Sequence, residues 1–133
     1  MIAEGDAFLL SLPTDPEVKH FYVVLSDPSR DSDNIVIANL STWQDGEDDA
    51  CFLNSEDWCQ ECPFLNHDSY VRYRSARLVS ASKIEEWLRE GIASSKENMG
   101  CRLLEAMRRG AEESRFLPNK CCLALNDQGL IDL

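Results

Sequence analysis

Two apolar segments dominate the hydrophobic pattern, at residues 20–26 and 34–40 of the stretch 19–43. Both are rich in β-branched and aromatic residues, which pack well on a pleated sheet. Neither segment has a clean polar face, so each is predicted to be a strand buried on both sides. A polar turn that starts at Asp27-Pro28-Ser29 joins them. We therefore expect the chain to be organised around this pair of strands, at the centre of a small sheet or barrel.

Further strands are predicted on both sides of this pair. Residues 6–12 form a short apolar segment, and a turn with two prolines follows at residues 13–16. Residues 50–53 suit a short strand and residues 69–79 a longer one.

The long strand contains a conflict between its two ends. Ala76 and Leu78 share the parity of Arg72 in the sequence, so an unbroken strand would place charge and core on one face. We therefore expect a bend or bulge near Arg74-Ser75.

Helical periodicity replaces the strand pattern near residues 79–82. A capping box at Ser82-Lys83-Ile84-Glu85 predicts a helix that ends at about Glu90, before Gly91. A second capping box at residues 94–97 predicts a longer helix to about residues 109–110, with residues 111–116 as its candidate extension. The expected architecture is one domain over residues 1–133. It comprises a small, mainly β barrel of five to six strands (about 5–80), a helical part (about 82–116) and a tail (117–133) that adds an edge strand or covers the barrel.

The formal net charge of −11 is concentrated in the first half of the chain. Residues 1–66 hold 14 acids and 2 bases, a net of −12, whereas residues 67–133 hold 10 acids and 11 bases, a net of +1. An acidic half repels nucleic acid, and it either meets a basic partner or aids solubility. We find neither a signal peptide nor an apolar run of the roughly 20 residues that span a bilayer, so we expect a cytoplasmic protein without a membrane partner.

The order of these elements resembles the MazF/PemK-type toxins of bacterial toxin–antitoxin pairs, relatives of the CcdB fold. The residues that carry the resemblance are Gly5-Asp6, the VVLS at 23–26, the IVI at 35–37, the LST at 40–42, and residues 76–79 followed by a helix. It covers roughly residues 5–90. The resemblance implies a small SH3-like β-barrel, usually a homodimer, that an acidic or extended antitoxin segment binds. Many members cleave single-stranded RNA, as the ribose 2′-OH attacks its own phosphate.

The resemblance also implies which residues would carry the reaction. The family uses an Arg before the VLS strand and a Ser/Thr after the next strand. His20 stands at the Arg position, and Thr42 matches the Ser/Thr, with Ser41 beside it as a candidate binding residue. Histidine transfers protons near neutral pH but is not a permanent forked cation. The alternatives are a half-solvated strand-start histidine and a turn hydroxyl that bonds its own backbone.

Arg72 and Arg74 are candidate binding residues, since they lie two apart on one predicted strand. Their guanidinium groups could clamp a phosphate or an acidic peptide. The alternative is a solvated strand face paired with the acidic loop.

Six cysteines are many for a chain without a secretory signal. Cys59 and Cys62 form a C-x-x-C, whose spacing lets two thiolates bind one Zn²⁺. Cys51 and His67 flank that pair and would complete a Cys₃His set, or Cys121-Cys122 would contribute instead. A structural zinc is thus one interpretation, beside reduced buried thiols and a redox pair; no other cofactor is expected.

Three functions remain open on the sequence. The first is a growth-inhibiting toxin, with or without endoribonuclease activity, whose partners are an antitoxin and single-stranded RNA. The second is a non-catalytic module of the same fold, phage- or plasmid-borne, that binds a protein through its acidic surface and the Arg72/Arg74 edge. The third is a zinc-stabilised accessory protein.

Overall fold

A computed structural model describes residues 1–11, 18–62 and 65–132. The elements in chain order are β1 (Ala7–Ser11), β2 (Lys19–Val24), β3 (Ile35–Thr42), β4 (Phe52–Leu53), α1 (Ser55–Trp58), β5 (Ser69–Val79), α2 (Ala81–Arg89), β6 (Ala93–Lys96), α3 (Gly100–Glu113) and α4 (Asn119–Asp127). Residue 12 of the first predicted strand and the predicted turn at residues 13–16 lie outside the described residues.

The six strands form one antiparallel sheet in the order β4-β5-β3-β2-β1-β6. The prediction of a central, doubly buried pair is confirmed, because β3 and β2 are the two middle strands. Val36 and Ala38 of β3 pack into one core with α3 and α4, whereas Ile35 and Ile37 pack into a second core with α2. Helices on both faces explain why these strands have no polar face.

The protein is thus a small β-rich domain, as expected, but its sheet is open. Among the described residues no pairing joins the outer strands β4 and β6, so the strands do not close into the expected barrel. None of the helices in the described part of the chain is both long and apolar enough to cross a bilayer.

The predicted irregularity in β5 is confirmed. Asn39 pairs with Arg72 and Ile37 with Arg77, so two positions advance along β3 while five advance along β5. The irregularity lets Tyr73 and Ala76 enter the same core although their sequence parities differ. The irregularity thereby separates charged from core residues and resolves the conflict between the two ends of the strand.

Helix α2 is found where it was predicted, with a different cap. Ser80, not Ser82, is the N-cap, and its side chain accepts a hydrogen bond from the Lys83 amide at 3.1 Å. The helix ends at Arg89, and Gly91 follows with φ of +77°, the left-handed conformation expected after a helix.

The second predicted helix start is wrong. Residues 93–96 form β6, which pairs with the outer side of β1 from Leu10↔Ala93 to Ala7↔Lys96. Pairing with β1 satisfies the backbone groups of this segment, and it outweighs the local capping pattern. The helix α3 begins only at Gly100.

The tail also differs from the expected edge strand, because it forms helix α4 after Pro118. Its residues Cys121 and Leu125 are buried in the core that α3 covers. This helix covers the sheet, which was the other expectation for the tail.

Candidate functional site

Helix α2 covers only part of one face of the sheet. The rest of that face carries polar and aromatic side chains, and we call it the polar face: His20, Tyr22, Asn39, Ser41, Tyr70 and Arg72. Strand register places them together. Tyr22 pairs with Asn39 and Asn39 with Arg72, while Ser41 pairs with Tyr70. The Phe21↔Leu40 pair places His20 opposite Ser41, and directly opposite residues have Cβ atoms about 5 Å apart.

Asn39 orders the centre of the polar face. Its side chain is 3% exposed, and its amide Nδ2 donates to the Phe21 carbonyl at 3.1 Å. Its Oδ1 accepts a 2.6 Å hydrogen bond from the Ser41 hydroxyl. The Ser41 oxygen keeps its acceptor capacity and is held in a fixed position.

Arg72 is the unusual group of the polar face. In the described part of the chain, its Nε is buried and has no hydrogen-bond partner. No ion pair with a described residue compensates it, although the chain carries 24 acidic residues. An unpaired buried donor costs about 1–3 kcal/mol, so the burial of Arg72 Nε without a described partner lowers the stability of the fold.

Tyr70 links the polar face to the acidic loop at residues 44–49. Its hydroxyl donates to Glu47 Oε2 at 2.8 Å. Burial raises the pKa of Tyr70, the bond to Glu47 raises it further, and the nearby charges of Arg72 and Arg74 act in the opposite direction. The exposed Arg74 also stacks over the Phe116 ring, 5.1 Å from its centroid.

His20 is half-buried at the start of β2, and its ring centroid lies 6.5 Å from that of Tyr22. It therefore faces the same side of the sheet as Ser41 and Arg72. The fold places these three predicted residues on one face of the sheet, with His20 opposite Ser41 and Arg72 opposite Asn39.

Thr42 lies on the opposite side of the sheet from His20, because side chains alternate along a strand. Its Oγ1 is 2.9 Å from His67 Nε2, at the mouth of a cavity of about 160 Å³ with Phe21, Leu40 and Leu65 in its lining. His20 and Thr42, both candidates for one reaction, do not share a site. Among the described residues, the Thr42 hydroxyl is bonded to the His67 ring and not to its own backbone.

The four candidate zinc ligands are not gathered either. Cys59 is exposed with Sγ 3.8 Å from the Glu56 carbonyl, and Cys62 is buried with Sγ 3.9 Å from the Met99 carbonyl. Cys51 is buried next to α3, and burial raises its pKa to about 11. Across residues 1–11, 18–62 and 65–132, no three Cys, His, Asp or Glu side chains are grouped as a metal site requires. The cysteines serve different parts of the core and surface instead.

Comparison with known proteins returned no matching family, no matching curated protein and no matching solved structure.

Three residues of the polar face were not among the predicted site residues: Tyr22, Asn39 and Tyr70. Asn39 interrupts the otherwise apolar run 35–40, and a polar residue in a doubly buried strand is a signal that could have been used. Tyr70 gave no such signal, because its importance depends on the register between β5 and β3.

Proposed function

We propose that the chain is a MazF/PemK-like growth-inhibiting toxin that cleaves single-stranded RNA on its polar face. The observation that carries the proposal is Arg72, a part-buried guanidinium without an ionic partner among the described residues, on the same face as Ser41 and His20. Further support comes from the order of elements, since strands β1 to β5 and the helix α2 follow one another as in that family.

The reaction needs a proton acceptor and a positive charge. The ribose 2′-OH attacks the adjacent phosphorus and the bond to the 5′-oxygen of the next nucleotide breaks, which leaves a 2′,3′-cyclic phosphate and a 5′-OH. His20 takes the 2′-OH proton, Arg72 stabilises the charge on the phosphorane, and the departing 5′-oxygen takes a proton from water. His20 stands at the family's arginine position but has no guanidinium. On this proposal Arg72 on β5 supplies the forked cation instead.

Ser41 takes the role that the sequence had given to Thr42. Its hydroxyl is fixed by Asn39 and faces the same side as His20, whereas Thr42 faces the opposite side. On this proposal the open sheet is a divergent form of the SH3-like barrel. A homodimer, an antitoxin partner and a cytoplasmic site of action belong to the same proposal.

A protein-binding module of the same fold is the second candidate. The observation that favours it is the contact of Glu47 with Tyr70, which holds an acidic loop against the edge of the polar face. Such a loop repels a polyanion and attracts a basic segment of a partner.

Induction of the gene in a bacterial host, followed by incubation of the purified protein with single-stranded RNA, tests the toxin proposal. We expect growth arrest and RNA fragments with cyclic phosphate ends. Arg72→Ala and His20→Ala should each lower cleavage at least about 100-fold, the usual scale for an acid–base or charge-stabilising group. Arg89→Ala, which removes an equal charge from the exposed surface of α2, is the matched control and should retain activity.

The variants also separate the two sides of the sheet. Loss of cleavage in Thr42→Ala together with full activity in Ser41→Ala would move the site to the His67 side. A host that grows normally, with RNA left intact by the purified wild-type protein, rules out the toxin and leaves the binding module.

A further inference from the structure

An aromatic corner adjoins the polar face at the outer edge of the sheet. It consists of Trp43, Phe52 and Tyr70. The Trp43 ring centroid lies 5.0 Å from that of Phe52 and 5.7 Å from that of Tyr70, with interplanar angles of 70° and 82°. Tyr70 is 3% exposed, but Phe52 is 40% exposed on the two-residue edge strand β4. Trp43 contacts both other rings, so the exposed Phe52 ring and the Trp43 ring that supports it offer a surface for stacking.

A carboxylate is fixed beside this corner. Glu47 Oε2 accepts the hydrogen bond from the Tyr70 hydroxyl, while its Oε1 makes no hydrogen bond or ion pair with a described residue. The corner therefore combines an aromatic surface with an available hydrogen-bond acceptor.

We propose that the aromatic corner binds the base of a nucleotide next to the cleaved phosphate, and that it prefers guanine. This inference rests on the proposed function of the polar face. The base stacks on Phe52 and Trp43, and the guanine N1–H and exocyclic amino group donate to the Glu47 carboxylate. Uracil has one such N–H donor and two carbonyl oxygens, which a carboxylate repels.

The dimensions and charges agree with a nucleotide that lies across the strands. Phe52 pairs with Tyr70, and Tyr70 with Ser41, so the backbone of Phe52 lies two strand spacings, or about 10 Å, from that of Ser41. Phosphates then lie toward Arg72, and only the uncharged base approaches the acidic loop at residues 44–49. The acidic loop, which repels phosphate, accepts a base.

The same arrangement selects single strands. In a duplex the N1–H and amino groups of guanine are used in Watson–Crick pairing, and its faces are stacked on neighbouring bases. Recognition of an unpaired base by an aromatic ring and a carboxylate therefore excludes double-stranded RNA.

The test measures binding of 2′-O-methyl oligonucleotides, which cannot be cleaved because the attacking hydroxyl is blocked. A uridine pentamer and the same pentamer with one central guanosine are titrated into the protein, with quenching of the tryptophan fluorescence, to which Trp43 contributes, as the signal. We expect about tenfold tighter binding of the guanosine pentamer. Phe52→Ala should weaken binding of both pentamers, and Glu47→Gln should remove the preference while both pentamers still bind. Leu123→Ala, which truncates an exposed apolar side chain on α4, is the matched control.

Each outcome decides one proposal. Equal binding of the two pentamers, or a guanosine preference that survives Glu47→Gln, overturns the inference about the corner. Phe52-dependent binding of the guanosine pentamer without cleavage of unmodified RNA supports the corner and removes the ribonuclease. Cleavage of unmodified RNA by wild type that is unchanged in Phe52→Ala, at every sequence tested, supports the ribonuclease and removes the corner.

Discussion

Gly110, in the C-terminal part of α3, is expected to accept even a methyl group only at a cost in stability. A Cβ at this position would lie 2.6 Å from the Cys51 Cβ and 3.0 Å from the Ala50 carbonyl oxygen, and it would also meet the Tyr73 hydroxyl. Tyr73 is fully buried, and its hydroxyl donates to the Met107 carbonyl at 2.6 Å. The glycine thus allows β5 and the chain before β4 to approach the helix closely.

Two opposing effects set the magnitude for Gly110→Ala. Alanine in a helix interior is favoured over glycine by about 1 kcal/mol. Overpacking of a dense core costs about 1–3 kcal/mol, and displacement of the Tyr73 hydroxyl adds about 1 kcal/mol for its hydrogen bond. We therefore expect a net loss of roughly 1–3 kcal/mol in the free energy of unfolding.

Urea unfolding followed by circular dichroism measures this loss, with Ala106→Gly as a calibration of helix propensity in the same helix. The Tyr73→Phe/Gly110→Ala double variant should lose less than the sum of the single variants, because Tyr73→Phe removes one of the clashing atoms. A Gly110→Ala protein as stable as wild type would refute the close packing of β5 on α3.

Three further predictions concern the cysteines. Burial raises the pKa of Cys51 and of Cys121 from 9.0 to about 11, so the stability that comes from keeping these thiols neutral is present below pH 9. This stability is lost as pH rises toward 11. The urea midpoint should therefore fall between pH 9 and pH 11, and it should fall less in Cys51→Ala. In the native protein a thiol reagent should label Cys59 and Cys101 quickly, whereas Cys51, Cys62 and Cys121 should react only on unfolding; rapid labelling of all six would contradict the packing. Since Cys59 is exposed and separated from the other candidate ligands, Cys59→Ser should leave the unfolding free energy within about 0.5 kcal/mol of wild type. A larger loss, together with zinc in protein purified without chelator, would support the zinc site that the sequence suggested.

Much of the sheet could be predicted because its decisive signals are local. The segments that became β2 and β3 are apolar on both faces, and that pattern placed them at the centre. The parity conflict between Arg72 and Ala76 required the irregularity in β5. These features follow from side-chain alternation alone.

Other features depend on contacts between distant residues and could not be predicted. The segment 93–96 matches a helix cap locally, and only the available edge of β1 makes it a strand. Thr42 and His67 are 25 residues apart, and their hydrogen bond is set by the path of the chain into β5. Strand register places Thr42 and His20 on opposite faces of the sheet, and the sequence alone does not fix that register.

The pairing of β1 with β6 has a consequence for synthesis of the protein. Ala7 pairs with Lys96, a separation of 89 residues, and the Met99 amide donates to the Gly5 carbonyl at 2.9 Å. During translation the N-terminal strand leaves the ribosome long before its partner exists. Until about residue 100 has emerged, one side of β1 presents unpaired backbone groups and is open to contact with other nascent chains. Protection of β1 therefore depends on a segment that is made almost 90 residues later.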